Sequence, residues 1–188
     1  TCHMISKNPN EKKVILNAIT SKKQPNDMKN ANNCIVCHLS DESGTDRLST
    51  AIGYKGATNP HHLNTMTILN SSLAKYFTWD AEVKTLEKQI SNSIQATHKM
   101  NLKEDELIKK LKLDEKYLAK FDEAFKTKDS LTFVNIQKAI AVYVKTLLTR
   151  GSFDEFLEGD NEAISTLAKQ GLANFMNFGC SGCHTGMS

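Results

Sequence analysis

The sequence predicts an all-α protein, and three observations predict it. Apolar side chains recur three and four positions apart in successive runs from Val83 to Met176, the spacing of one helix face. No stretch alternates apolar and polar residues convincingly, as a half-buried strand would. Residues 39–64 consist largely of Gly, Ser, Thr, Asn and Asp with little periodicity, which reads as a long loop.

Each element follows in order. Val14, Ile15, Leu16 and Ile19 fit one short helix in a Lys- and Asn-rich stretch that ends before Pro25. The loop over residues 39–64 is long for a compact domain, and such loops are usually functional. Asp80 can cap a helix carrying Val83, Leu86, Ile90 and Ile94. Asn101 with Glu104 resembles a capping box ahead of Leu107, Ile108 and Leu111. Asp114 opens a helix through Leu118, Phe121 and Phe125. The clearest helix covers about residues 133–148, with Phe133, Ile136, Ile140, Tyr143, Val144 and Leu147 on one face. A last one starts near Asn161, carries Ile164, Leu167, Leu172, Phe175 and Met176, and ends at Gly179.

Composition narrows the function. The chain has 188 residues, 39% of them hydrophobic, enough for one medium domain or two small ones. Its longest apolar run, residues 139–144, is too short to cross a bilayer. No basic segment followed by an apolar one opens the chain, so any signal peptide is expected to be already removed. A mild, evenly spread net charge of +3 argues against nucleic acid as a partner.

The cysteines say more. Four of the five form two copies of one pattern, Cys34-Ile35-Val36-Cys37-His38 and Cys180-Ser181-Gly182-Cys183-His184. Thr1-Cys2-His3 reads like the end of a third copy, and we expect truncation at both ends of the chain. C-x-x-C-H attaches c-type haem. Two thiols two residues apart form thioethers to one porphyrin, and the following His lies under the iron as its ligand. A structural zinc site would want its pairs roughly 12–20 residues apart, whereas Cys37 and Cys180 stand 143 positions apart. A thioredoxin-like pair needs a βαβ setting that is not visible. Disulfides would not require a His after each second Cys. Two haems c are therefore expected, at Cys34, Cys37 and His38 and at Cys180, Cys183 and His184, with Cys2 and His3 pointing to a third.

Haem then replaces part of the core. The expected fold is a set of cytochrome c-like haem lobes with long haem-wrapping loops and little or no β structure. Residues 1–33 would end an N-terminal haem segment, 34–130 would form the first lobe, and 131–188 would begin a second, truncated one. Haem c is assembled outside the bacterial cytoplasm, so a periplasmic location is expected.

Several segments carry a family resemblance. They are Leu48-Ser49 with Ile52-Gly53, Asn64-Thr65-Met66-Thr67-Ile68-Leu69-Asn70, Trp79-Asp80 and Leu86-Glu87-Lys88-Gln89. The most specific is Ser152-Phe153-Asp154-Glu155-Phe156-Leu157-Glu158-Gly159-Asp160, continuing through Lys169-Gln170-Gly171-Leu172 to Phe178-Gly179-Cys180. From Cys34 onward, over about 155 of 188 residues, the chain resembles the bacterial dihaem cytochrome c peroxidase family. That family also contains enzymes that mature protein-derived quinone cofactors.

The resemblance implies a cytochrome c peroxidase-type oxidoreductase that reduces hydrogen peroxide to water. Its first haem is peroxidatic, and its second receives electrons from a small donor cytochrome or copper protein. Trp79 would assist electron transfer between the haems, and Gln89 would belong to the peroxidatic site. Asn64 would contribute to an interdomain calcium site. The homodimer is left open.

Two positions depart from the family. An acidic residue is expected ten positions after the Gln, just before a Met; here that position is Lys99, followed by Met100. A lysine is already protonated near neutral pH unless burial lowers its pKa. His98 next door could move the proton instead. The place of the removable distal His falls on Tyr54, with His61 and His62 as alternative iron ligands or ordinary surface histidines. A peroxidase-like multihaem electron-transfer protein without peroxidase activity is therefore a competing expectation. A maturation enzyme has no positive signal.

Overall fold

A computed structural model describes residues 33–39 and 43–184; the short helix expected at residues 14–19 and the Cys2-His3 pair lie outside the described residues. Among the described residues the fold is helical, as expected, with no sheet and one isolated antiparallel bridge between Ile52 and Thr58. No helix described is long and apolar enough to cross a membrane.

The single turn α1, Cys34–Cys37, starts at Asn33, whose side-chain oxygen accepts a hydrogen bond from the Ile35 amide at 3.2 Å. An irregular stretch follows, broken by short 3-10 turns at Tyr54–Gly56 and Ser71–Leu73. Helix α2, Leu86–Gln95, is capped by Thr85, whose hydroxyl accepts from the Lys88 amide at 3.3 Å. The expected cap, Asp80, instead accepts from the Glu82 amide at 3.2 Å in a turn, because that amide is far nearer than any in the helix. Val83 accordingly precedes the helix, its carbonyl accepting from the Phe77 amide at 2.8 Å.

Helix α3, Glu104–Lys112, starts at Lys103 without a side-chain cap, so the expected Asn101–Glu104 box does not form. Asn101 is turned into the left-handed region, at φ 48°, and cannot serve as an N-cap. The helix relies on its charges: Glu104, Asp105 and Glu106 open it and Lys109, Lys110 and Lys112 close it, matching its dipole. Helix α4, Glu115–Phe125, begins as read, with Asp114 accepting from the Lys116 amide at 2.9 Å.

Helix α5, Phe133–Val144, is capped by Thr132 and stops four residues short of the expected end. Helix α6, Ser152–Leu157, is six residues long, too short for its periodicity to stand out. Helix α7, Thr166–Asn177, is capped by Ser165 rather than near Asn161, and Gly179 leaves it at φ 78°.

The core lies between α2 and α5. Leu86, Ile90 and Ile94 meet Phe133, Ala141 and Val144, and Ala141 is fully buried where the helices pack. Each large apolar side chain buried there contributes roughly 1.5–3 kcal/mol. Ile68, Phe77 and Met100 pack onto this core, so the irregular stretch is anchored to the helices. Asn70 strengthens the attachment. Its amide side chain donates to Thr149 Oγ1 at 2.7 Å and accepts from the Thr149 amide at 2.8 Å, and its backbone N–H donates to the Leu147 carbonyl at 2.8 Å. This residue sits at φ 58°, a conformation asparagine tolerates better than most side chains.

Candidate functional site

The first cysteine motif forms the floor of a cavity. In α1 the His38 amide donates to the Cys34 carbonyl at 2.9 Å, which closes the turn and brings Cys34, Cys37 and His38 to one cavity wall. Both thiols are free. Burial pushes the Cys34 thiol up and, with the Asp46 carboxylate nearby, pushes Cys37 up to about 11.

His38 Nδ1 lies 3.0 Å from the Gly44 carbonyl. A carbonyl only accepts, so Nδ1 carries the hydrogen and Nε2 keeps its lone pair. Burial also lowers the His38 pKa, against the opposing hydrogen bond to Gly44. Gly44 has φ 72°, and a Cβ there would come within 2.9 Å of Thr67 Oγ1 and 3.1 Å of Leu69 Cγ. Only glycine lets this carbonyl reach the imidazole.

The cavity is about 1340 Å³, larger than the roughly 300–1,000 Å³ of common small-molecule sites. Ile68, Leu86, Ile90, Ile94, Ile140 and Val144 give it apolar walls. Gln89, His98, Lys99, His61, Asn64 and Trp79 are the predicted site residues that also face it. Gln89 Oε1 is buried without a hydrogen-bond partner, a cost of about 1–3 kcal/mol that a bound group with a donor would remove.

His98 and Lys99 sit in the turn that follows α2. The Lys99 amide donates to the Ala96 carbonyl at 2.9 Å, and its carbonyl accepts from the Tyr54 amide at 2.6 Å. Gly53 presses on the same turn: a Cβ there would lie 2.1 Å from the His98 oxygen and 2.7 Å from the Lys99 oxygen. Burial, the Lys99 charge and the His61 charge all lower the His98 pKa. Burial lowers that of Lys99 as well.

The other candidate distal groups separate cleanly. His61 is exposed at the rim, while Tyr54 and His62 do not line the cavity. Trp79, 57% exposed, borders this cavity and a shallower one beside Arg47 and Met66. Its indole N–H donates to the Asn64 carbonyl at 3.4 Å. Among the described residues no three His, Cys, Asp or Glu side chains gather as a metal cluster, at Asn64 or elsewhere.

The second motif repeats the backbone of the first without its cavity. The His184 amide donates to the Cys180 carbonyl at 2.9 Å, as in α1, on a 3-10 turn over Cys180–Gly182. Cys180, Cys183 and His184 are exposed, and the ring of Phe175 lies 6.1 Å from that of His184.

Two thiols, an imidazole with an available lone pair and apolar walls fit a large apolar group bound through sulfur and nitrogen. Haem c meets that description, and Cys34, Cys37 and His38 are the residues that could hold it. Sequence reasoning missed the Gly44 carbonyl and the pressure of Gly53 on the His98–Lys99 turn. The first had only the turn pair Ser43-Gly44 as a signal, and the second had none short of the fold.

Comparison with known proteins defines the class. Residues 26–162 match the family described as di-haem cytochrome c peroxidase. The chain belongs to that family. It is 34% identical over 154 residues to the cytochrome c551 peroxidase of Nitrosomonas europaea, covering 81% of this chain and 45% of that protein. It is 32% identical over 156 residues to the methylamine utilization protein MauG of Methylophilus methylotrophus, covering 81% and 46%. The fold resembles the crystal structure of a MauG-like protein associated with microbial copper homeostasis, with a TM-score of 0.71 and 24% identity over 87% of this chain and 47% of that one. The chain thus spans less than half the length of these relatives.

Proposed function

We propose that Cys34, Cys37 and His38 hold a haem c that is the peroxidatic centre of a periplasmic peroxidase. One observation carries this reading: a single apolar cavity gathers the two free thiols, the oriented imidazole and the partnerless Gln89 oxygen. The substrate is hydrogen peroxide, which two electrons and two protons convert to two waters. The electrons come from a small donor cytochrome or copper protein, by way of a second haem at Cys180, Cys183 and His184.

Bound in the cavity, haem iron would supply one-electron redox chemistry and a coordination position. The remaining tasks fall to side chains. The Gly44 carbonyl fixes the His38 ring and raises the basicity of its other nitrogen. His98 is held neutral by its surroundings, so it can accept a proton from one peroxide oxygen and return it to the other. The Gln89 oxygen accepts a hydrogen bond from the peroxide O–H. Trp79, at the rim, relays electrons, and Asn64 steadies its indole while contributing to a calcium site between lobes. The core that α5 shares with α2 favours a first lobe extending through residue 147, with the second beginning beyond it.

The test is peroxide consumption by the full-length, haem-loaded protein after reduction of the second haem. Turnover above that of free haem is expected, and His98→Ala should lower it about 10²–10⁴-fold. No turnover above free haem removes the reading. Lys99, standing where the family has an acid, favours a second reading as an electron-transfer protein. In that case the haems exchange electrons with the donor while peroxide persists.

A further inference from the structure

We infer that Lys99 supplies the second axial nitrogen to the iron of the haem held through His38, closing the coordination position in the resting protein. The inference rests on the haem attachment proposed above and adds a ligand to it.

Three nitrogen-bearing candidates on the cavity wall are His61, His98 and Lys99. His98 and Lys99 are half-buried in one turn of that wall. His61 acts on Asp80 and His98 at the exposed rim. Tyr54 and His62 are not on the wall.

The root of Lys99 is held on both sides, through its amide to Ala96 and its carbonyl to Tyr54. Gly53 packs directly against that turn. From this fixed root a flexible four-carbon stem carries the amine. The ammonium has no ion pair among the described residues, and its burial disfavours the charged form. Nothing in the wall therefore retains the charge. On coordination the nitrogen lone pair forms a bond to iron, the ammonium proton passes to solvent, and no electron is transferred. Peroxide would then have to displace the amine before it could bind.

The experiment is electron paramagnetic resonance and near-infrared magnetic circular dichroism of the ferric, full-length, haem-loaded protein. An amine–imidazole signature from one haem is expected. It should vanish in Lys99→Met and in Lys99→Arg, whose guanidinium does not deprotonate, with a high-spin haem in its place. His61→Ala and His98→Ala should keep it.

A bis-imidazole or high-spin first haem in the wild type overturns the inference, as does loss of the signal in either His variant. These two variants decide the matter even if the Lys99 substitutions fail to fold. Haem content separates this failure from that of the preceding reading. If Cys34→Ala/Cys37→Ala leaves the number of haems per chain unchanged, the attachment itself is wrong.

Discussion

A Cβ on residue 53 would meet backbone oxygen at 2.1 Å, and backbone cannot swing aside as a flexible side chain can. Gly53→Ala should therefore cost about 1–3 kcal/mol, read as a lower urea midpoint at unchanged slope. The thiols give a second expectation at this scale. With Cys37 pushed up to about 11, only about one thiol in a thousand is ionised at pH 8. In the haem-free chain, iodoacetamide should label the exposed Cys180 and Cys183 well before Cys34 and Cys37, as peptide mass mapping would show. The cysteines and His38 were legible as a motif because thioether chemistry demands their spacing. The His38–Gly44 contact was not, because it exists only once the loop folds back on the turn.

Among the helices, α5 and its partner α2 carry the core, so Phe133→Ala should lower stability by about 3–5 kcal/mol in denaturant unfolding. The loop after α4 is held by a carboxylate. Asp122 accepts from the Ser130 amide at 3.0 Å and from its hydroxyl at 2.7 Å. These bonds hold the Asp122 carboxyl below its ordinary range. Their stabilisation is present above the unfolded pKa and is lost as pH falls through the lower folded value. The gap in urea midpoint between wild type and Asp122→Ala should therefore be full at neutral pH and close on acidification. Helices with a cap adjoining the apolar run, such as Asp114 before α4, could be read from the chain. Asp80 could not, because a nearer amide captures its carboxylate. The short α6 was visible only as a resembling segment.

For the molecule as a whole, the chain that leaves α5 runs at the surface, where Leu148, Thr149 and Arg150 are exposed. Limited proteolysis should cut within residues 148–165 before it cuts within 126–132, leaving α5 with the N-terminal fragment. The division expected near Lys128–Thr132 adjoins an exposed polar turn at residues 126–129. Polarity there reflects a solvated turn; which helices share a core is decided by faces that only the folded chain brings together. All-α character, in contrast, was plain from periodicity, since each apolar face needs a partner of its own kind.

The clasp between Asn70 and Thr149 adds a mechanical consequence. Ile68 and Leu69 belong to the cavity wall, and the adjoining asparagine grips the strand of chain leaving α5 by three hydrogen bonds. A tug on the downstream polypeptide is thus geared directly to the lining of the pocket, like a drawstring threaded through its hem.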